Sequence, residues 1–178
     1  MTSTITSVAQ AAHSIASSLL ATAQIRVGDT IPAHEVKEIE PHKGDPLVLK
    51  GKNIILGVPG AFTGTCHAQI PGYIKAYDEF KAKGVNEIFV VAINDVFVTK
   101  AWKENLAPEG TNVRFLADDT GKLTSSLGLV FDATPILGGP RSKRYAIVAD
   151  DGQITSIAIE EDPTKFTVTD AKVILASL

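Results

Sequence analysis

The chain has 178 residues and a formal net charge of -3 from 17 Lys and Arg against 20 Asp and Glu. That length suffices for one domain with a substantial buried core and is short for two, and the charge gives no broad electrostatic reason for nucleic acid or an anionic membrane as partner. No apolar run approaches a bilayer-spanning length, and the single cysteine excludes an internal disulfide framework and any Cys-rich zinc site, while fitting a reducing compartment.

Residues 1–24 are rich in Ser, Thr and Ala and hold no Lys, Arg, Asp or Glu. They lack the basic start and dense apolar stretch of a secretory signal and the arginines of a mitochondrial presequence. The spacing of Val8, Ala12, Ile15, Leu19 and Leu20 suits a short amphipathic helix. The segment is therefore expected to be an extension to a domain spanning residues 25–178.

From Ile25 onward, Gly28-Asp29 and Pro32 mark a loop, and Lys43-Gly44-Asp45-Pro46 a turn before Leu47-Val48-Leu49. Asn53 to Val58 is a short apolar run that suits a central strand buried on both faces. After the loop Pro59 to Thr65, residues Cys66 to Lys83 read as a helix interrupted by Pro71-Gly72 and stopped by Gly84. Glu87 to Ile93 follows as a strand, Val96 to Leu106 as a helix, Val113 to Leu116 as a strand and Lys122 to Leu127 as a short helix. Thr134 to Pro140 reads as a Gly/Pro-rich loop. Tyr145 to Ala149 and Gln153 to Ile159 flank Asp-Gly, a strong hairpin signal, and Thr169-Asp170 can cap a final helix. This order predicts a single α/β domain, a mixed β-sheet flanked by helices on both faces.

The chemistry concentrates where Pro59-Gly60-Ala61-Phe62-Thr63-Gly64-Thr65-Cys66 joins the buried strand to a helix. The unpaired amides of a first helical turn and the positive end of the helix dipole favour a thiolate there. Position alone leaves a second reading open, since cysteines are also common as small buried core residues. The four histidines show no metal-ligand spacing, so no metal site is expected.

The pattern Pro59, Thr63, Cys66 resembles the peroxidatic loop of peroxiredoxins. The fuller string through Ile70-Pro71-Gly72-Tyr73, with Asn94-Asp95, Lys100-Ala101-Trp102 and Arg141 to Tyr145, is similar to the type II (peroxiredoxin-five) subgroup. The resemblance spans roughly Ile25 to Leu178 and implies a thioredoxin-like fold and a thiol peroxidase. It makes Cys66 the nucleophile that attacks one peroxide oxygen. Thr63 would hydrogen-bond the thiolate and the incoming peroxide, although it can also cap the helix. Pro59 would cover the site against water. Arg144 corresponds to the family's active-site arginine and would stabilise the thiolate and the leaving oxygen, whereas by itself it reads as a surface cation, with Arg141 close by.

Three departures from the subgroup stand out. Gly64 replaces a proline and loosens the loop. The histidine expected four residues after the cysteine is missing, because Cys66-His67-Ala68-Gln69-Ile70-Pro71 is one residue short; His67 or Gln69 is the candidate replacement. The resolving cysteine is also absent, its place falling at or near Val168. A one-cysteine cycle follows, with no prosthetic cofactor and an external thiol reductant, either glutathione (often with glutaredoxin) or thioredoxin. The alternative is a non-peroxidatic redox sensor, holdase or interaction protein on the same fold. Phe62, Phe97 and Ile136 suggest a weak homodimer, and the expected compartment is the cytoplasm, with mitochondrial import second.

Overall fold

Lys52–Val58 forms the central strand of the domain because nearly all its residues can be buried on both faces. The computed structural model describes residues 23–178, so the helix expected near Val8 to Leu20 lies outside the described residues. Two short strands, β1 (Glu35–Val36) and β2 (Asp45–Pro46), pair antiparallel before the central strand, β3. The main sheet adds β4 (Val85–Ala92), β5 (Arg114–Ala117), β8 (Tyr145–Asp150) and β9 (Gln153–Ile159), in the order β5-β4-β3-β8-β9. β3 runs parallel to β4 and antiparallel to β8. A separate two-stranded piece pairs β6 (Val130–Asp132) with β7 (Pro140–Ser142).

Side-chain alternation along these strands divides the core in two. Ile54, Leu56, Val58, Ile88, Val90, Ala146 and Val148 face one side, packing with Cys66, Ile70, Tyr73, Phe80, Trp102 and Ile174. Those partners come from α1 (Gly64–Lys75), α2 (Tyr77–Ala82), α3 (Val96–Leu106) and α6 (Ala171–Ser177). Ile55, Phe89, Val91, Tyr145 and Ile147 face the other side, covered by Ile25, Ile31, Val36, Leu47 and by Leu123 of α4 (Lys122–Ser126). Each fully buried Ile or Leu contributes about 2 kcal/mol by leaving water. Helices on both faces of a mixed sheet agree with the element order read from sequence.

Two expectations are corrected. Pro71 lies inside α1 and the break between helices falls at Ala76, not at Pro71-Gly72. Pro71 is exposed, so the hydrogen bond it cannot make is lost on the solvent side and the helix continues past it. The stretch Thr134 to Pro140 is not a plain loop: Thr134–Leu137 forms a short helix, α5, and Pro140 opens β7. The Asp132 carboxylate starts that turn by accepting from the Thr134 amide at 2.9 Å, a local signal independent of apolar spacing. The Asp151-Gly152 turn takes positive φ at both residues, 46° and 82°, as a two-residue hairpin requires.

Gly57 is where β3 meets β8 most closely. A methyl group there would come within 1.9 Å of the Tyr145 ring, and Tyr145 is fully buried with no room to retreat. Gly57→Ala should therefore destabilise the protein by about 3 kcal/mol, the upper end of ordinary overpacking costs. A urea midpoint equal to that of the unsubstituted protein would contradict this close packing.

Candidate active site

The loop from Pro59 to Thr63 carries the chain from the end of β3 to α1 and is pinned from two directions. The Ala61 amide donates to Asn94 Oδ1 at 3.0 Å, and the Thr63 amide to the Gly60 carbonyl at 3.3 Å. Pro59 is buried beneath it. Phe62 holds a left-handed φ of 62°, an unfavourable conformation for an aromatic residue that its surroundings must enforce. Thr63 is the N-cap residue of α1 by backbone geometry, yet its side chain makes no capping bond. Its hydroxyl donates instead to the Gly60 carbonyl at 2.9 Å. No acidic residue lies in the first turn, so the amides around Cys66 have neither a side-chain acceptor nor a carboxylate nearby in sequence.

Cys66 is fully buried on the helix-facing side of the sheet, where strand register brings Arg144 to it. Gly57 pairs with Tyr145 across the antiparallel β3–β8 ladder, so Arg144 lies beside the end of β3, just before the loop. Period-two alternation turns Tyr145 to the opposite face and Arg144 toward α1, the side that also takes Ala146 and Val148. Arg144 is 1% exposed. Its Nη2 donates to Cys66 Sγ at 3.3 Å and to the Pro163 carbonyl at 2.8 Å. Nε reaches the same carbonyl at 3.2 Å, and Nη1 donates to Gln69 Oε1 at 2.6 Å. None of the ion pairs among the described residues involves Arg144.

Gln69 occupies the position that the shortened loop left in question. Its amide nitrogen donates to the Thr169 carbonyl at 3.0 Å and to Thr169 Oγ1 at 2.9 Å. His67 turns away: its Nδ1 accepts from Trp102 Nε1 at 3.3 Å. Trp102 is fully buried and meets Phe115 edge-on at 5.4 Å. Arg141, the neighbour that sequence could confuse with Arg144, donates to the Ile93 and Leu137 carbonyls at 2.7 and 3.0 Å. Val168, at the place of the absent second cysteine, is 45% exposed.

The structure thus brings together Cys66, Arg144 and Gln69, with Thr63 and Pro59 in the adjoining loop. The hydrogen bond expected from Thr63 to the sulfur is not formed, because its hydroxyl proton is directed to Gly60. Sequence reasoning missed Tyr73, Pro163, Thr169 and Glu160. Tyr73 donates to the Thr169 carbonyl at 2.7 Å, and burial, with Asp170 and Glu160 adding to it, pushes its hydroxyl far above the ordinary tyrosine value. Glu160 accepts from both Thr167 and Thr169. Pro163, Thr169 and Glu160 lie about ninety to a hundred positions from the α1 residues they support, and Tyr73, within α1, reads by its helical spacing as a core residue, so no local spacing could reveal their part in the site. Among the described residues no group of three or more His, Cys, Asp and Glu could hold a metal ion, and no helix is long and apolar enough to cross a membrane.

A mixed sheet with a buried thiol at a helix start beside a strand-borne guanidinium defines a thioredoxin-like thiol protein. The Redoxin family model matches residues 26–175. Peroxisomal membrane associated protein 20 of Schizosaccharomyces pombe is 44% identical over 155 residues, covering 86% of this chain and 99% of its own. Peroxiredoxin-2C of Oryza sativa is 40% identical over 167 residues, covering 88% of this chain and 99% of its own. The solved structure of reduced Prx3 from Vibrio vulnificus in complex with hydrogen peroxide superposes with a TM-score of 0.80 at 38% identity, over 87% of this chain and 100% of that one. The chain belongs to the redoxin family and, within it, to the type II peroxiredoxins, which are thiol peroxidases.

Burial pushes the Glu160 carboxyl up, but the amides and hydroxyls of Thr169 and Thr167 outweigh it and hold the group below its ordinary value of 4.5. A carboxyl lowered in the folded state contributes stability that is complete above pH 4.5 and is lost as pH falls through the folded value. The urea midpoint should therefore drop more steeply with acid in the native protein than in Glu160→Gln. Parallel pH curves for the two would show that this carboxylate is not anchored as described.

Proposed function

We propose that this protein reduces hydrogen peroxide and small alkyl hydroperoxides through a one-cysteine cycle centred on Cys66. The observation that carries this reading is a buried guanidinium with no carboxylate partner among the described residues and an N–H on the cysteine sulfur. A cation taken out of water without a counter-ion is costly, and a Cys66 thiolate would supply the missing charge.

In the first step the thiolate attacks one peroxide oxygen. The S–O bond forms as the O–O bond breaks, giving a sulfenic acid, and the leaving oxygen takes a proton to depart as water or alcohol. Arg144 stabilises the thiolate and then the charge on the leaving oxygen. Thr63, its proton engaged by Gly60, keeps lone pairs that can accept from the O–H of a hydroperoxide and orient it. Pro59 excludes water, and the Cys66 amide adds a donor. Gln69 fixes the far side of the guanidinium. In the second step an external thiol condenses with the sulfenic acid, releasing water and leaving a mixed disulfide. A second thiol then frees Cys66 and carries away the disulfide. Glutathione, often with glutaredoxin, or thioredoxin supplies these thiols, and no prosthetic group takes part.

The buried sulfur must become accessible for that second step. Gly64 supports such a movement: a methyl there would meet nothing within 4 Å, so packing does not require glycine and its backbone freedom is its main contribution. Phe62 of the site loop, Phe97 and Ile136 are 50%, 68% and 82% exposed, which supports a weak homodimer. Residues 1–24 are assigned as an extension to a domain spanning 25–178, and the cytoplasm as the working compartment.

Intact-mass analysis after peroxide should show Cys66 gaining one oxygen, and a mixed disulfide when glutathione is added. Cys66→Ser should abolish turnover. Arg144→Ala should slow peroxide oxidation roughly a hundredfold, the cost typical of losing a donor to a developing oxyanion, and Thr63→Val should slow it at least roughly tenfold through lost orientation. A native thiol that reacts with peroxide no faster than free cysteine, or reacts equally fast in both variants, rules out the cycle and favours a sensor or holdase.

A further inference from the structure

We propose that Glu160 is a positioning residue for the Cys66–Arg144 pair, acting through the loop between β9 and α6. This inference rests on the thiol chemistry proposed above. The loop, residues 160–170, contains neither helix nor strand, yet it supplies most of the acceptors that aim the site. The Pro163 carbonyl takes two N–H bonds from Arg144. The Thr169 carbonyl takes the Gln69 amide and the Tyr73 hydroxyl. The Thr164 carbonyl takes the Thr65 hydroxyl at 3.0 Å, next to the cysteine itself. A catalytic group must be held to a fraction of an ångström, and a bare loop is a poor platform for that.

Glu160 gives the loop its shape. It follows β9 directly, its amide donates to the Arg144 carbonyl at 3.0 Å, and it is 7% exposed. Oε1 accepts from the Thr167 amide at 2.6 Å, the Thr169 amide at 2.9 Å and the Thr169 hydroxyl at 2.9 Å. Oε2 accepts from the Thr167 hydroxyl at 2.8 Å. The carboxylate therefore folds the loop back on its own starting point. It holds the Thr169 carbonyl where Gln69 needs it, and Gln69 in turn holds Nη1 of Arg144 so that Nη2 faces sulfur. Glu160 makes no ion pair with Arg144, and its contribution is geometric.

That distinction has a sign. Taking a negative charge away from a site that bears a thiolate would, through space, favour the thiolate and move the pH–rate profile down. Losing the hold on Arg144 weakens the guanidinium's support of the thiolate and moves the profile up. Besides Cys66 itself, the other ionisable groups on the surrounding elements are His67, Tyr73 and Lys75 on α1, Arg144 before β8, Glu161, Asp162, Lys165 and Asp170 on the loop, and Lys172 on α6. All of them stay in place in Glu160→Gln and in Thr169→Val.

Glu160→Gln and Thr169→Val, made in the full chain, test this. Glutamine replaces one carboxylate oxygen, at best the Oε2 that accepts from the Thr167 hydroxyl, by an NH2 donor and removes the charge that strengthens the bonds to Oε1, and valine removes the hydroxyl that joins Glu160 to Gln69. Peroxide oxidation of Cys66 should slow at least roughly tenfold at pH 7 in Glu160→Gln. Its pH profile should move up by about one unit, with a smaller shift of the same sign in Thr169→Val. In an Arg144→Ala background Glu160→Gln should add nothing, because the residue acts through Arg144. An unmoved or lowered profile, or an effect that adds in full to that of Arg144→Ala, overturns the proposal. Should Glu160→Gln fail to fold, Thr169→Val decides by the same criteria. Alkylation of Cys66 by iodoacetamide, measured over the same pH range, reads the hold of Arg144 on the sulfur without any peroxide. Failure of the peroxidase reading would leave that alkylation shift intact, whereas failure of this inference would remove it.

Discussion

Burying the Arg144 guanidinium is the constraint on which the site depends. Removing such a cation from water costs several kcal/mol even after relaxation, and among the described residues no carboxylate is paired with it. Its N–H groups are met by the Gln69 amide oxygen, the Pro163 carbonyl and the Cys66 sulfur. Two of these acceptors are neutral under all ordinary conditions. Only the sulfur can carry a full negative charge, so the arrangement is complete in charge as well as in hydrogen bonds when Cys66 is a thiolate. The β3–β8 register places this cation beside the end of β3, and the same strand end launches the loop that delivers the cysteine. Core packing and chemistry are therefore one problem here: the close approach of Gly57 to Tyr145 holds the two strands whose ends carry Arg144 and Cys66.

The helix end adds to this without competing with it. A side-chain cap from Thr63 would have consumed an amide in the first turn of α1. Its hydroxyl bonds Gly60 instead, which stiffens the loop and leaves those amides to act on the sulfur. Stiffness has a cost in a protein with one cysteine. In the proposed one-cysteine cycle the sulfenic acid would form on a buried sulfur, and with no second cysteine in the sequence the site would have to open to an outside reductant. The bonds from Thr65, Gln69 and Arg144 to the 160–170 loop are the ones such an opening must break. In that cycle the loop that aims the site for the first step would also oppose the second.

How much of this was legible in the sequence follows from how local each signal was. The apolar run of β3, the helix Val96–Leu106, the Asp-Gly hairpin and a cysteine at a strand-to-helix junction all depend on neighbours within a few residues, and all are present. The break at Ala76 was misplaced because proline weighs heavily in a sequence, whereas its cost in a helix depends on which face it occupies. Thr134–Leu137 escaped because a carboxylate turn, and not apolar spacing, starts it. Choosing Arg144 over Arg141 needed the family resemblance, although the alternation of β8 would have sufficed once its register with β3 was known. Glu160 carried no signal and Thr169 only that of a helix cap, since their importance to the site comes from the contact of Thr169 with α1 that the folded chain alone creates.

Gln69 shows what a departure from a family pattern can preserve. A side-chain amide is acceptor at one end and donor at the other, and here both ends are used, Oε1 toward Arg144 and Nε2 toward Thr169. An imidazole in the same role would change its donor count as it titrates, within about pH 5 to 8. The amide has no such transition. In this chain the side chain that braces the guanidinium therefore keeps one donor and acceptor pattern across that range. Gln69, one of the two candidates for the place of the absent histidine, braces Arg144 beside the thiol with a side chain of fixed polarity.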